Sequence, residues 1–229
     1  MNPIIIIPSR MNSTRFPGKP LSLIKGVPMI VQVLRRAWEA NVGPVVVACA
    51  EREIMNVVLS EGGKAILTRK EHSSGSDRIL EALDTFDPNK SYDTIINLQG
   101  DLPTIEGDVV RKILDPFSDA DVDIATLVVE MMGHNESQNP NIVKAVVSLG
   151  EGQKSGRALY FSRADVPSGV GPLYHHIGIY AYRRQSLEKF VSLAPGVLEQ
   201  REELEQLRAL ENGMRIDAKV VDSIICGVD

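Results

Sequence analysis

The sequence is short of several things, and each shortage removes a class of protein. Its 229 residues include two cysteines, Cys49 and Cys226, too few for a disulfide framework, so both are expected to be reduced packing residues. Long apolar runs are missing. The longest, Ile4 to Ile7 and Val45 to Ala50, fall far below the ~18 to 20 residues of a bilayer-spanning helix. No basic, apolar, small-residue leader opens the chain, and the expectation is a cytoplasmic protein with no membrane partner. Positive charge is not in excess either: 25 Lys and Arg stand against 30 Asp and Glu, for a net charge of −5. That balance argues against a general nucleic-acid surface, so an anionic ligand would need a local basic cluster. Gly-x-Ser-x-Gly, His-Glu-x-x-His, Cys-x-x-Cys and Gly-x-Gly-x-x-Gly are all absent, which disfavours serine hydrolases, zinc enzymes and nicotinamide dehydrogenases.

What is present is an ordinary globular composition, 43% apolar and 24% charged, in a chain long enough to bury roughly 70% of its unfolded surface without staples. Ile4-Ile5-Ile6-Ile7, closed by Pro8, suits a strand buried on both faces, as in a parallel sheet. From Met29 the apolar positions Ile30, Val33, Leu34, Ala37 and Trp38 follow helical spacing up to Asn41 and Gly43. Val45 to Cys49 predicts a second buried strand, Glu51 to Glu61 a helix and Ala65 to Leu67 a short strand. Asp77 to Leu83 predicts a helix capped by Ser76, followed by a strand at Thr94 to Leu98 and a helix from Glu106 to Leu114. This alternation implies a mainly parallel sheet with helices on both faces and ligands at the carboxyl ends of the strands.

From Ile124 the rhythm changes to strands at Ile124 to Val129, Val143 to Leu149 and His176 to Tyr182, an expected antiparallel extension. Helical patterns return at Ser186 to Val191 and Glu202 to Glu211, before a strand from Arg215 to Val220. No repeat, low-complexity tract or linker interrupts the chain, so residues 1–229 are expected to form a single domain, with the extension at about 130–183.

The chemistry should lie in the loops that follow the first parallel strands. Between Pro8 and Pro20 the chain carries Arg10, Arg15 and Lys19 together with Ser9, Asn12, Ser13, Thr14 and Gly18. These cations could neutralise a triphosphate, while backbone N–H groups near Ser13 and Gly18 cradle its oxygens. Pro20 stands where a Walker loop has Ser or Thr, so this is a different phosphate loop. Asp101, after the Thr94 to Leu98 strand, is placed to hold Mg²⁺ against substrate phosphates. Asp217, Asp222 and Asp229 are the candidates for a second carboxylate. In His72-Ser73-Ser74-Gly75-Ser76-Asp77-Arg78, small residues at a helix start would let a base or phosphate approach the backbone while Arg78 donates hydrogen bonds. Strand alternation sends Ile177, Ile179 and Ala181 to one face and leaves His176, Gly178, Tyr180 and Tyr182 on the other. Phosphate-centred chemistry with a divalent metal is the class that these residues suit.

The motifs also fall in the order of a known family. Ile7-Pro8-Ser9-Arg10 through Arg15-Phe16-Pro17-Gly18-Lys19-Pro20-Leu21, the His72 to Arg78 segment and Asn97-Leu98-Gln99-Gly100-Asp101 are followed by Tyr160-Phe161-Ser162-Arg163, His176-Ile177-Gly178-Ile179-Tyr180 and Leu204 to Gly213. Together they resemble the 3-deoxy-manno-octulosonate (Kdo) cytidylyltransferases. The first motif alone indicates a nucleotidyltransferase; the last two are the more specific for Kdo over the sialic acid of the related CMP-sialic acid synthetases. An idle nucleotide-binding homologue is the other alternative.

The resemblance implies an α/β, three-layer nucleotidyltransferase fold of the nucleotide-diphospho-sugar transferase type. It implies transfer of CMP from CTP to Kdo with release of pyrophosphate, as a step toward lipopolysaccharide, with Mg²⁺ as cofactor and a homodimer as the assembly. By the family pattern Arg10, Ser13, Arg15 and Lys19 would hold the triphosphate. Ser74, Gly75, Arg78 and Gln99 would surround the cytidine or the reacting centre. Asp101 and Asp229 match the metal carboxylates, with Arg10, Lys19 and Asp101 as the catalytic set. Arg163, His176, Tyr180, Glu205 and Gln206 match positions lining the sugar-acid pocket, Arg163 being suited to the sugar's carboxylate. Two departures stand out: Leu102 replaces the Glu of the usual Gln-Gly-Asp-Glu-Pro, and the family continues past the position of Asp229 into a further turn and helix.

Overall fold

The computed structural model of the chain describes residues 1–11, 16–131 and 137–222, arranged in two compact units. The first holds Met1–Arg111 and Tyr182–Val191; the second holds Lys112–Ala181 and residues 192–222.

The first unit is built around β1 (Pro3–Ser9), whose Ile4, Ile5, Ile6 and Ile7 are completely buried. A strand without a solvent face needs a neighbour on each edge and a cover on each side. β1 pairs in parallel with β4 (Val45–Cys49) on one edge and β6 (Thr94–Asn97) on the other; β5 (Lys64–Leu67) joins β4, also in parallel. The connecting helices are α1 (Met29–Ala40), α2 (Arg52–Ser60), α3 (Gly75–Phe86) and α4 (Gly107–Lys112). α1 buries the expected stripe of Ile30, Val33, Leu34 and Ala37 and closes on Asn41 in the left-handed region. α5 (Arg184–Ser192) also belongs chiefly to this unit, where Arg184 pairs with Asp87 at 3.1 Å.

One local expectation in the first unit needs correction. α3 begins at Gly75 with Ser74 as its cap, because the Ser74 hydroxyl accepts from the Asp77 N–H while the Asp77 carboxylate accepts from the Ser74 N–H. This reciprocal pair wins over a cap at Ser76, which is buried instead. A 3₁₀ turn (Lys19–Leu21) leads into a small hairpin of β2 (Leu23–Ile24) and β3 (Val27–Pro28), reversed by Lys25 and Gly26 at positive φ.

The second unit is a mixed sheet, in the order β10 (Tyr174–Arg183), β7 (Ile124–Glu130), β11 (Ile216–Val221), β9 (Ser155–Ser162), β8 (Lys144–Ser148). It is less antiparallel than its spacing implies. β9 pairs antiparallel with β8 and with β11, but β11 lies parallel to β7, from Ile216 opposite Ile124 to Val221 opposite Val129. β9 goes unread in the sequence because its polar start, Ser155-Gly156-Arg157, and a register shift in β8 at Val146/Val147 blur the alternation. The helix expected over 202–211 is two pieces, α6 (Val197–Glu202) and α7 (Leu207–Glu211). Glu203 turns left-handed between them, and the buried Arg208 of α7 folds back to bind Glu199 of α6 through two hydrogen bonds.

One polar residue sits deep in this second core. His176 of β10 is buried, with its ring edge-on to Phe161 at 4.9 Å between centroids. The Thr126 hydroxyl donates to the Ile179 carbonyl at 2.8 Å and lies 3.0 Å from His176 Nε2. With its proton committed to that carbonyl, Thr126 Oγ1 is the acceptor, so Nε2 carries the hydrogen of a neutral ring. Burial, aided by the nearby His175, pushes the His176 pKa down to about 3.

A group that is neutral when folded but protonates in the unfolded chain makes stability fall as pH drops. The window runs from the unfolded value of 6.5 down to about 3, at about 1.4 kcal/mol per pH unit. Between pH 6.5 and 5, His176→Gln should therefore flatten the pH dependence of the urea midpoint relative to the unsubstituted chain. An NMR titration of His176 with an ordinary pKa near 6.5 would contradict this.

Candidate active site

In the first unit the strand ends gather the candidates. β1 and β6 are parallel neighbours, with Ile6 opposite Asn97, so the segments that leave their carboxyl ends share one edge of the sheet. The backbone approaches closely there: a Cβ at Gly100 would stand 3.1 Å from the Pro8 carbonyl oxygen. Gly75, at the start of α3, abuts the Pro8 ring in the same way at 3.5 Å. Arg10, Ser74, Gly75, Gln99 and Asp101 are thus brought to one place by β1, β6 and α3. Ser13 and Arg15 lie outside the described residues.

The base of the loop after β1 is closed by the Gly18 N–H, which donates to the Met11 carbonyl at 3.1 Å, with Gly18 at φ 76°. Lys19 then enters buried, and its Nζ reaches Asp101 Oδ2 at 3.1 Å. Asp101 itself is half-exposed, its side chain 41% accessible. A nearly buried ammonium and a solvent-facing carboxylate, one from each strand-end loop, therefore neutralise one another. Leu102, which replaces the family's Glu, is buried. Its side chain belongs to the core and not to the exposed side of Asp101. Gln99 is oriented by a 2.8 Å bond from its Nε2 to Asn97 Oδ1.

Arg78 lies beneath this cluster, 2% exposed. Its Nη1 donates to Thr68 Oγ1 and to the Arg69 carbonyl, while Nη2 is buried without a hydrogen-bond partner among the described residues. Burial, reinforced by the charge of Arg10, lowers its pKa. Ser9 Oγ is likewise buried and unpartnered. Donors of this kind are costly unless something completes them.

Sequence reasoning missed the contribution of β4. Ser9 pairs in register with Cys49, which carries Glu51 to the loop, where its carboxylate accepts from the Met11 N–H at 2.9 Å. Arg10, Met11, Ala50, Glu51, Glu53 and Lys70 line a cavity of about 380 Å³. The parallel register of β1 and β4 was the signal that could have placed Glu51 there. Cys49 is inert beside it: burial, then the charge of Glu51, pushes its thiol up to about 12, in keeping with a packing role. Cys226 lies outside the described residues. A larger cavity, about 490 Å³ and flanking α3, is lined by His72 and Asp77 of the motif that opens this helix, but by none of the residues given a nucleotide, metal or sugar role.

The second unit holds the other set. Arg163, just beyond β9, donates its N–H to Glu202 Oε2 at 3.1 Å, Nε to the Glu202 carbonyl at 3.0 Å and Nη1 to the Pro140 carbonyl at 3.1 Å. Tyr180 lies on the same face of β10 as His176, ring centroids 5.4 Å apart. Glu205 and Gln206 precede α7; Glu205 Oε1 is 3.8 Å from Arg208 Nη2, and the buried Gln206 has an Nε2 without a hydrogen-bond partner among the described residues. Phe161 of β9, two residues before Arg163, packs edge-on against His176.

Of the late carboxylates, Asp217 is occupied by Arg215 through two hydrogen bonds and Asp222 pairs with Lys154 at 3.5 Å. Asp229 lies outside the described residues. Among the described residues no three His, Cys, Asp or Glu side chains cluster to hold a metal. No helix among them is long and apolar enough to cross a membrane.

Known proteins resemble this chain over its whole length. A family profile described as cytidylyltransferase matches residues 4–216. A 3-deoxy-manno-octulosonate cytidylyltransferase of Paramagnetospirillum magneticum is 58% identical over 229 residues, covering 100% of this chain and 93% of the relative. The solved CMP:2-keto-3-deoxy-manno-octonic acid synthetase complexed with CTP superposes with a TM-score of 0.90 at 38% identity, over 100% of this chain and 93% of that one. A UDP-glucose pyrophosphorylase complexed with UDP-glucose shares the fold alone, with a TM-score of 0.65 at 14% identity over 98% of this chain and 92% of that one. The chain has the α/β nucleotidyltransferase fold and belongs to the 3-deoxy-manno-octulosonate cytidylyltransferase family.

Proposed function

We propose that this protein transfers the cytidylyl group of CTP to the anomeric hydroxyl of Kdo, giving CMP-Kdo and pyrophosphate. The names of the relatives support the substrate, and the Lys19–Asp101 pair at the shared strand edge is the observation that carries the chemistry. In this reaction a new bond forms between the sugar oxygen and the α-phosphorus, the bond to the β-phosphate oxygen breaks, and the hydroxyl proton is lost. Such a transfer asks a protein chiefly for positioning and charge neutralisation.

Lys19 and Arg10 supply cations to the triphosphate, together with Ser13 and Arg15 of the same loop. The free Nη2 of Arg78 offers a buried donor, and Ser74, Gly75 and Gln99 line the place where the nucleoside meets the start of α3. Asp101 is a single half-exposed carboxylate, a donor set that suits Mg²⁺, which takes one or two protein carboxylates and completes its shell with phosphates and water. Asp101 and Asp229 would hold that ion. When bound, it would supply charge neutralisation at the phosphates and lower the pKa of an attached hydroxyl.

Arg163, its Nε and Nη1 held by main-chain carbonyls, meets the carboxylate of the sugar acid through Nη2. Gln206 offers its free amide donor, Glu205 accepts from sugar hydroxyls, and His176, neutral, and Tyr180 complete the wall. A homodimer in the cytoplasm, producing an activated sugar for lipopolysaccharide, fits the family and the absence of a membrane-crossing helix among the described residues.

With CTP and Mg²⁺, pyrophosphate release should require Kdo and should stop on adding EDTA. Release with N-acetylneuraminate in place of Kdo would instead establish a sialic acid synthetase, and CTP binding without release would establish an idle homologue. Asp101→Asn should lower kcat by about 100-fold or more, with some loss of stability because the nearly buried Lys19 ammonium loses its counter-charge but keeps an amide oxygen to donate to; full activity in the folded variant would remove Asp101 from the site. Arg163→Ala should raise KM for Kdo by about 10- to 100-fold and leave KM for CTP within about twofold. An unmoved Kdo KM would sink that role.

A further inference from the structure

Glu202, a residue that none of the sequence motifs singles out, grips Arg163 twice. Its carboxylate accepts from the Arg163 backbone N–H at 3.1 Å, and its own carbonyl accepts from Arg163 Nε at 3.0 Å. The same carboxylate takes the Ser162 hydroxyl at 2.9 Å and the Tyr160 hydroxyl at 3.3 Å. Tyr160 and Ser162 of β9 and Arg163 at its exit are thus tied to one side chain. Burial alone would raise its pKa, but these donors outweigh that and hold the carboxyl ionised, below the usual carboxylate range. Behind Arg163, the buried Lys144 Nζ donates to the Arg163 carbonyl at 2.6 Å, and to those of Ile142 and Asn139 at 2.7 and 3.0 Å.

Glu202 is also the last residue of α6, immediately before the left-handed Glu203, from which the chain runs to Glu205 and Gln206. One turn earlier on α6, Glu199 binds Arg208 of α7 at 2.8 and 2.5 Å. The two inward carboxylates of α6 therefore fasten both groups of the second unit: Glu202 fixes Arg163, and Glu199 fixes the helix that follows Gln206.

We infer that Glu202 is a positioning residue for sugar-acid recognition, acting through Arg163 by clamping its backbone and guanidinium so that Nη2 stays aimed at the substrate carboxylate, at constant spacing from Gln206. This rests on the sugar-binding role given above to Arg163. Fixing a long side chain in its bound geometry lowers the ordering cost of binding, and the effect should fall on the sugar acid and spare the nucleotide.

The test is a double-mutant cycle on the full chain, measured as KM for Kdo and for CTP. Glu202→Gln should raise KM for Kdo by about 5- to 20-fold, with KM for CTP within about twofold. In an Arg163→Ala background the same substitution should add less than about twofold, since the group it positions is gone. Ser162→Ala removes one donor to Glu202 and leaves the carboxylate and Arg163 in place. It should shift KM for Kdo in the same direction by a smaller factor, which keeps the test open even where Glu202→Gln folds poorly.

Equal effects on both substrates, an unmoved Kdo KM, or full additivity with Arg163→Ala would each overturn the role and make Glu202 a structural residue only. An unsubstituted enzyme that does not turn over Kdo would overturn the proposed function itself. That result is read before any variant is made, so the two failures are distinguishable.

Discussion

Four isoleucines that reach no water set the terms for the first half of this protein. Ile4 to Ile7 leave β1 without a solvent face, so it is satisfied only when strands flank it and helices cover it. The connections available to a chain that returns in parallel are crossovers, and these deliver each new strand with its carboxyl end at the same edge. The meeting of Lys19 with Asp101, residues 82 positions apart, follows from that arrangement. Neither residue is placed by its own neighbours in sequence. A polar substitution at Ile5 or Ile6 would act on the site only by loosening β4 and β6 from β1.

Both units pair most of their buried charge. In the second, Glu199 and Arg208, Arg215 and Asp217, and Glu202 with its three donors are paired at hydrogen-bond distance. Such networks fix geometry, since breaking one member strands the other. In the first, Arg184 and Asp87 form a buried pair at 3.1 Å, while Arg78 and Ser9 retain buried polar atoms without partners among the described residues. At the strand-end loops such atoms leave capacity for a ligand. Gln206 in the second unit also has one among the described residues, and it stands among the groups assigned to the sugar acid.

The sequence was most readable where one physical signal dominated. The continuous β-branched runs of β1 and β4 and the 3.6-residue stripe of α1 placed those elements closely. Reading failed where two signals competed. At α3, Ser74 and Ser76 are both plausible caps, and only the reciprocal bond with Asp77 decides between them. Over 202–211 the apolar spacing is helical throughout, yet the Glu199–Arg208 pair and the left-handed Glu203 break it. Of the candidate site, Arg10, Lys19, Asp101 and Arg78 were found because their residue types are chemically distinctive at strand ends. Glu51 and Glu202 were not, since an acidic residue beside or within a helix looks like a solvated face until its partners 39 or 40 residues away are known.

Cys49 gives the interior of the first unit a built-in reporter. A thiol held at about 12 is ionised in only about one molecule in 10⁵ at pH 7, and the thiolate is the form that alkylating reagents attack. Its side chain is also sealed between β1 and β5. Modification of Cys49 therefore has to wait for the sheet to open at β4. Its rate, followed on the Cys49 peptide by mass spectrometry, is a stopwatch on the opening of the strands that carry the phosphate loop, and a ligand that rests on that loop would be expected to slow it.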